Sequence, residues 1–129
     1  MKILVLENPK EHSLSSYPLL EYAITSRGRE SELVKNLHEA YSRLQSRDIN
    51  LVIIHHYSFE DVAILKKAYP NVYFAISSAD IFPKEECYPG TISETFRKKA
   101  EEHYDILLDD YGDAVITAMD SVEKKTKLK

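Results

Sequence analysis

With 129 residues, of which 43% are hydrophobic and 29% charged, the chain can bury a core without disulfide staples, and one domain over residues 1–129 is expected. A formal net charge of −4 and a pI near 5.7 argue against a surface of clustered Lys and Arg that neutralises phosphates, and so against a nucleic-acid partner. No apolar run approaches the ~20 residues that cross a bilayer, the start Met1-Lys2-Ile3-Leu4-Val5-Leu6-Glu7 is too short for a secretory signal, and the lone Cys87 cannot form an internal disulfide; the expected setting is cytoplasmic, with no membrane partner.

An apolar run at 3–6 predicts the first strand. Ser16 ahead of Tyr17-Pro18 predicts the cap of a first helix carrying Leu20, Ala23 and Ile24, which Gly28 would close. Ser31-Glu32-Leu33-Val34 is more polar and reads as an edge strand. Asn36 with Glu39 resembles a capping box, followed by Leu37, Ala40, Tyr41 and Leu44 at the spacing of one buried helical face. The run at 51–54 predicts the third strand. Ser58 opens a third helix whose Val62, Leu65, Ala68 and Tyr69 face inward, and Pro70 stops it. A fourth strand at 72–76 is followed by a loop at 80–90 containing Pro83 and Pro89. Thr91 with Glu94 opens a more polar fourth helix, 106–108 forms the fifth strand, and Asp113 caps a fifth helix with Val115, Ala118, Met119 and Val122 as its apolar stripe. The lysines at 124–129 suit the negative pole of that helix's end.

Continuous rather than alternating hydrophobicity is what strands covered on both faces require, and regular strand–helix alternation calls for right-handed crossovers. The predicted fold is therefore α/β, a doubly wound five-stranded parallel sheet of order 2-1-3-4-5 with helices on both faces. In such a sheet ligands bind beyond the carboxyl ends of the strands, where strand order reverses. The residues leaving the strands there are Glu7 and Asn8, His55 and His56, Ser77 and Ser78, and Asp109 and Asp110, which together make the candidate crevice.

Over essentially its whole length the chain resembles a response-regulator receiver domain. The resemblance is carried by Lys2-Ile3-Leu4-Val5-Leu6-Glu7 at the start, Asp48-Ile49-Asn50-Leu51-Val52-Ile53-Ile54 as a third strand, and Phe74-Ala75-Ile76-Ser77-Ser78-Ala79 as a fourth. It implies a flavodoxin-like fold and a phosphorylation switch built from an acidic pair that binds Mg²⁺ after strand one, an aspartate ending strand three, a hydroxyl after strand four and a lysine after strand five. In this chain Glu7 offers one carboxylate with Asn8 beside it, His55 stands at the phosphoacceptor position, Ser77 or Ser78 matches the hydroxyl, and Asp109 or Asp110 stands where the lysine belongs. An imidazole cannot form the acyl phosphate that an aspartate forms, and an acid in place of the lysine repels a phosphoryl group. The expectation is a degenerate, pseudo-receiver module with no cofactor.

A sharper alternative reads Glu7, His55 and Asp109 as a divalent-metal site of a small enzyme, since oxygen with imidazole suits Mn²⁺, Fe²⁺ or Zn²⁺. Successive strand residues point to opposite faces, so at most one of His55 and His56 reaches the crevice directly. The segment Glu7-Asn8-Pro9-Lys10-Glu11-His12-Ser13 has no glycine, so neither a dinucleotide fingerprint nor a P-loop can form, and Ser13, Ser15 and Ser16 make only a weak flavodoxin-like phosphate loop. Among nine tyrosines, Tyr41 and Tyr69 fall on buried helical faces, whereas Tyr88, Tyr104 and Tyr111, with Phe96, lie around the fourth helix and fifth strand. Aromatic enrichment on a polar surface marks protein interfaces, so these four residues are the candidate docking face for a protein partner or a second copy of the chain. The function expected is a phosphorylation-independent regulatory module acting through protein–protein interaction.

Overall fold

The computed structural model describes residues 2–7, 17–55, 59–77 and 88–127. Five strands, β1 (Lys2–Glu7), β2 (Glu30–Val34), β3 (Ile49–His55), β4 (Tyr73–Ser77) and β5 (Ile106–Leu108), alternate with five helices, α1 (Tyr17–Thr25), α2 (Leu37–Leu44), α3 (Phe59–Ala68), α4 (Ile92–His103) and α5 (Asp113–Lys127). The strands form one parallel sheet of order β2-β1-β3-β4-β5, as predicted.

Strand parity divides the core in two. Leu4 and Leu6 of β1, Val52 and Ile54 of β3, and Phe74 and Ile76 of β4 pack against Ala40 and Leu44 of α2, Val62 and Leu65 of α3 and Ala100 of α4. Ile3, Val5, Leu51, Ile53 and Ala75 point the other way, onto Leu20 and Ile24 of α1 and Val115, Met119 and Val122 of α5. Each fully buried Leu or Ile contributes about 1.5–3 kcal/mol, and the central strands bury theirs on both faces.

Local signals place the ends. Gly28 adopts φ 72° and closes α1 through its own N–H on the Thr25 carbonyl and the Arg29 N–H on the Ile24 carbonyl, a Schellman pair that a left-handed residue permits. Asn36 caps α2 by accepting from the Glu39 N–H at 2.8 Å, and Glu39 reaches back to the Lys35 N–H. Thr91 accepts from the Glu94 N–H at 3.2 Å while the Glu94 carboxylate takes the Gly90 N–H. The start of α5 differs from expectation. Asp113 is its first helical residue, and the Asp110 carboxylate, three residues earlier, accepts from the Gly112 and Ala114 N–H groups. The predicted caps Ser16 and Ser58 lie outside the described residues. Among the described residues no helix is long and apolar enough to cross a membrane.

Candidate functional site

The crevice is built by parity and register. Glu7 follows Ile3 and Val5 on one face of β1, His55 follows Leu51 and Ile53 on β3, and Ser77 follows Ala75 on β4, so all three stand at the carboxyl edge on the α1/α5 side. Glu7 and His55 are register partners across the β1–β3 seam. All three side chains are buried.

The His55 Nδ1 bonds the backbone carbonyl of Ser77. A carbonyl only accepts, so Nδ1 carries the proton, and Nε2 is the one ring nitrogen whose lone pair a neutral His55 can offer. The ring of Tyr111, half-buried in the loop before α5, stands edge-on to the imidazole with centroids 6.4 Å apart. The Ser77 hydroxyl is buried without a hydrogen-bond partner among the described residues.

Beyond β5 the character changes. Asp109 and Asp110 are both exposed. Asp110 Oδ1 is occupied by the Gly112 and Ala114 N–H groups at 2.8 and 2.9 Å, so this carboxylate organises the entry to α5. Among the described residues no group of three or more His, Cys, Asp or Glu side chains is placed to hold a metal ion, and Glu7, His55 and Asp109 therefore do not assemble as the metal set that the sequence suggested. Asn8, His56 and Ser78 lie outside the described residues.

The four candidate interface aromatics do not share one surface. Tyr88 is 68% exposed ahead of α4, next to Ile92 at 89%. Phe96 turns inward from α4, its ring 5.7 Å from that of Phe59. Tyr104 is buried in the core beside Phe59, with its hydroxyl unpartnered among the described residues and its pKa raised by desolvation. As the C-cap of α4 its side chain is folded under the helix rather than offered to solvent, which corrects its reading as a docking residue. Tyr111 belongs to the crevice beside His55.

Sequence reasoning passed over a second apolar surface. Leu19 and Tyr22 of α1 are 57% and 78% exposed and border a cleft of about 440 Å³ with Tyr111 and Ile116. The signal was present, because an i, i+3 apolar pair lies off the Leu20, Ala23, Ile24 stripe.

No family model and no curated protein matches the sequence. Solved structures do match in fold. The chain superposes on NtrX from Brucella abortus with a TM-score of 0.69 at 17% identity, covering 98% of this chain and 27% of that one. On HP1043, an orphan response regulator of H. pylori, the TM-score is 0.65 at 16% identity over 95% of this chain and 96% of that one. An atypical orphan response regulator, whose structure revealed a new phosphorylation-independent regulatory mechanism, gives 0.61 at 15% identity over 100% and 98%. The fold is thus that of the response-regulator receivers, and the five-stranded sheet with its 2-1-3-4-5 order is their flavodoxin-like architecture.

Proposed function

We propose that the chain is a phosphorylation-independent signalling or regulatory module that works by binding protein. The observation that carries this reading is His55. At the end of β3, where the receiver resemblance puts a phosphoacceptor carboxylate, stands a buried imidazole whose Nδ1 is engaged with the Ser77 carbonyl. The acid at Asp109 or Asp110 in place of the expected lysine adds repulsion toward any incoming phosphoryl group. The orphan and atypical regulators among the structural neighbours support a regulatory role by analogy of fold.

The docking surface we assign is the start of α4, where Tyr88 and Ile92 present apolar area to solvent, with a second copy of the chain as the expected occupant. Incubation of the protein with acetyl phosphate and Mg²⁺, followed by intact mass measurement at neutral pH, is expected to give no adduct. Neutral pH matters because a phosphohistidine would be lost in acid. A phosphorylated mass mapped to the crevice would overturn the proposal.

A further inference from the structure

On the α1/α5 side of the sheet, Leu19, Tyr22 and Ser26 face Tyr111, Asp113 and Ile116 across the cleft of about 440 Å³. The fold does not need the apolar area that α1 contributes to it. Leu20, Ala23 and Ile24 are the residues of α1 that fill the core, whereas Leu19 and Tyr22 are left largely in solvent. Positions 19, 22 and 26 recur at i, i+3 and i+7, a second stripe along α1 beside the buried one. Large apolar side chains held in water at the edge of a concavity mark a docking surface.

Charge decides what fits. Among the described residues Asp113 is the one charged side chain that lines the cleft, and it is exposed and makes no ion pair there. Asp109 and Asp110 stand exposed just ahead of Tyr111 and add the same sign at this end. None of the described cations lines the cleft. Arg29 is held by Asp120 and Glu123, Arg27 lies past the end of α1, and Lys124 stands about two turns beyond Ile116.

Shape decides the rest. The stripe from Leu19 to Ser26 runs about 10 Å, or two helical turns. Two helices side by side leave a groove for a third, seated by apolar side chains at i, i+3 or i+4, and i+7. A docking strand, by contrast, is held through main-chain hydrogen bonds, and the flanks of α1 and α5 have none to give because their backbone groups are spent within the helices.

We infer that the α1/α5 cleft docks a cationic amphipathic helix of a partner protein. Apolar side chains one turn apart on that helix cover Leu19, Tyr22 and Ile116, and a Lys or Arg beside them meets Asp113. The inference rests on the reading of the chain as a protein-binding module and gives it a second face, apart from the α4 surface assigned to a second copy. Tyr111 joins this face to the crevice, since its ring both lines the cleft and stands edge-on to His55. A docked helix therefore changes the surroundings of the His55 imidazole.

The test is an NMR titration of the full chain, read at the backbone amides and the His55 ring protons, with helical model peptides of about 15 residues. One carries Leu at i, i+3, i+4 and i+7 spacing with Lys elsewhere, a second has Glu for every Lys, and a third has Ser for every Leu. Saturable shifts at Leu19, Tyr22, Tyr111 and Ile116 are expected from the Leu/Lys peptide, with binding about ten-fold weaker or more for each of the others. Leu19→Ser combined with Tyr22→Ser alters exposed side chains, so the fold should stay intact while Leu/Lys binding falls about ten-fold or more. Asp113→Lys should move the preference toward the Leu/Glu peptide. The inference is overturned if the Leu/Lys peptide gives no saturable shifts, if they fall at Tyr88 and Ile92 instead, if the Leu/Glu peptide binds as tightly, or if the folded double variant binds as the parent does. Self-association that the double variant abolishes and Ile92→Lys does not would overturn it in favour of a second copy in this cleft. A failure of peptide binding leaves the α4 association and the phosphorylation result to their own measurements.

Discussion

The imidazole of His55 donates from Nδ1 to the carbonyl of Ser77, tying the carboxyl ends of β3 and β4 together inside the crevice. Both groups are buried, so removing the donor strands an acceptor where water cannot replace it. His55→Ala is expected to lower stability by about 2–4 kcal/mol, the sum of an unmet carbonyl and a lost buried ring. His55→Asn, whose amide nitrogen can stand near the Nδ1 position, should recover much of the loss. Urea unfolding of the three proteins reads the difference, and equal midpoints for His55→Asn and His55→Ala would show that the hydrogen bond contributes nothing.

Tyr104 makes a pH-dependent prediction. Desolvation raises its pKa above the ordinary 10.0, so the folded protein keeps the phenol protonated where the unfolded chain has begun to ionise. Above pH 10.0 the native state then holds more protons than the unfolded one, and stability falls as pH rises. Below that pH this contribution is fully present. Tyr104→Phe should remove this part of the alkaline loss. At neutral pH it should leave stability unchanged or raise it by about 1 kcal/mol, because the buried hydroxyl it deletes has no partner among the described residues. Thermal melts at pH 7 and above pH 10 check both halves.

Much of the architecture was readable because its causes are local and periodic. The runs at 3–6, 51–54 and 106–108 lie within β1, β3 and β5, and Gly28, Asn36 and Thr91 mark helix ends through backbone chemistry that each residue type dictates. Tyr104 escaped because it sits at a joint between α4 and the three-residue β5, where neither period applies and only the packing of Phe59 decides its direction. The crevice residues Glu7, His55 and Ser77 could be located by parity, but the engagement of His55 with a backbone carbonyl rather than with Asp109 is a tertiary fact.

Asp109 and Asp110 are neighbours in sequence with different tasks. Asp110 Oδ1 satisfies two backbone N–H groups at the entry to α5, while Asp109 is exposed and makes no contact of that kind among the described residues. Asp110→Ala should cost about 1 kcal/mol, the usual worth of a capping acceptor, and Asp109→Ala should stay within about 0.5 kcal/mol of the parent. Asp109→Lys, which places a cation where receivers have one, should still give no phosphorylation with acetyl phosphate and Mg²⁺, since His55 remains. Chemical denaturation and intact mass are the two measurements.

Tyr88 meets the Thr91 cap through its backbone carbonyl, while the side chains of Tyr88 and Ile92 are exposed, so substituting those side chains separates association from folding. Ile92 lies in the first turn of α4 with 89% of its surface in solvent, and a lysine there keeps the helix while placing a charge in any apolar contact. Sedimentation equilibrium of the parent is expected to show concentration-dependent self-association. Ile92→Lys should weaken it by about ten-fold or more, corresponding to about 1.4 kcal/mol or more, with an unchanged melting temperature of the monomer. Tyr88→Ala should act in the same direction, and because hot-spot contributions couple, the double variant should lose less than the sum of the two. A parent that stays monomeric at every concentration would remove the second copy as occupant of this face and leave it to a different protein.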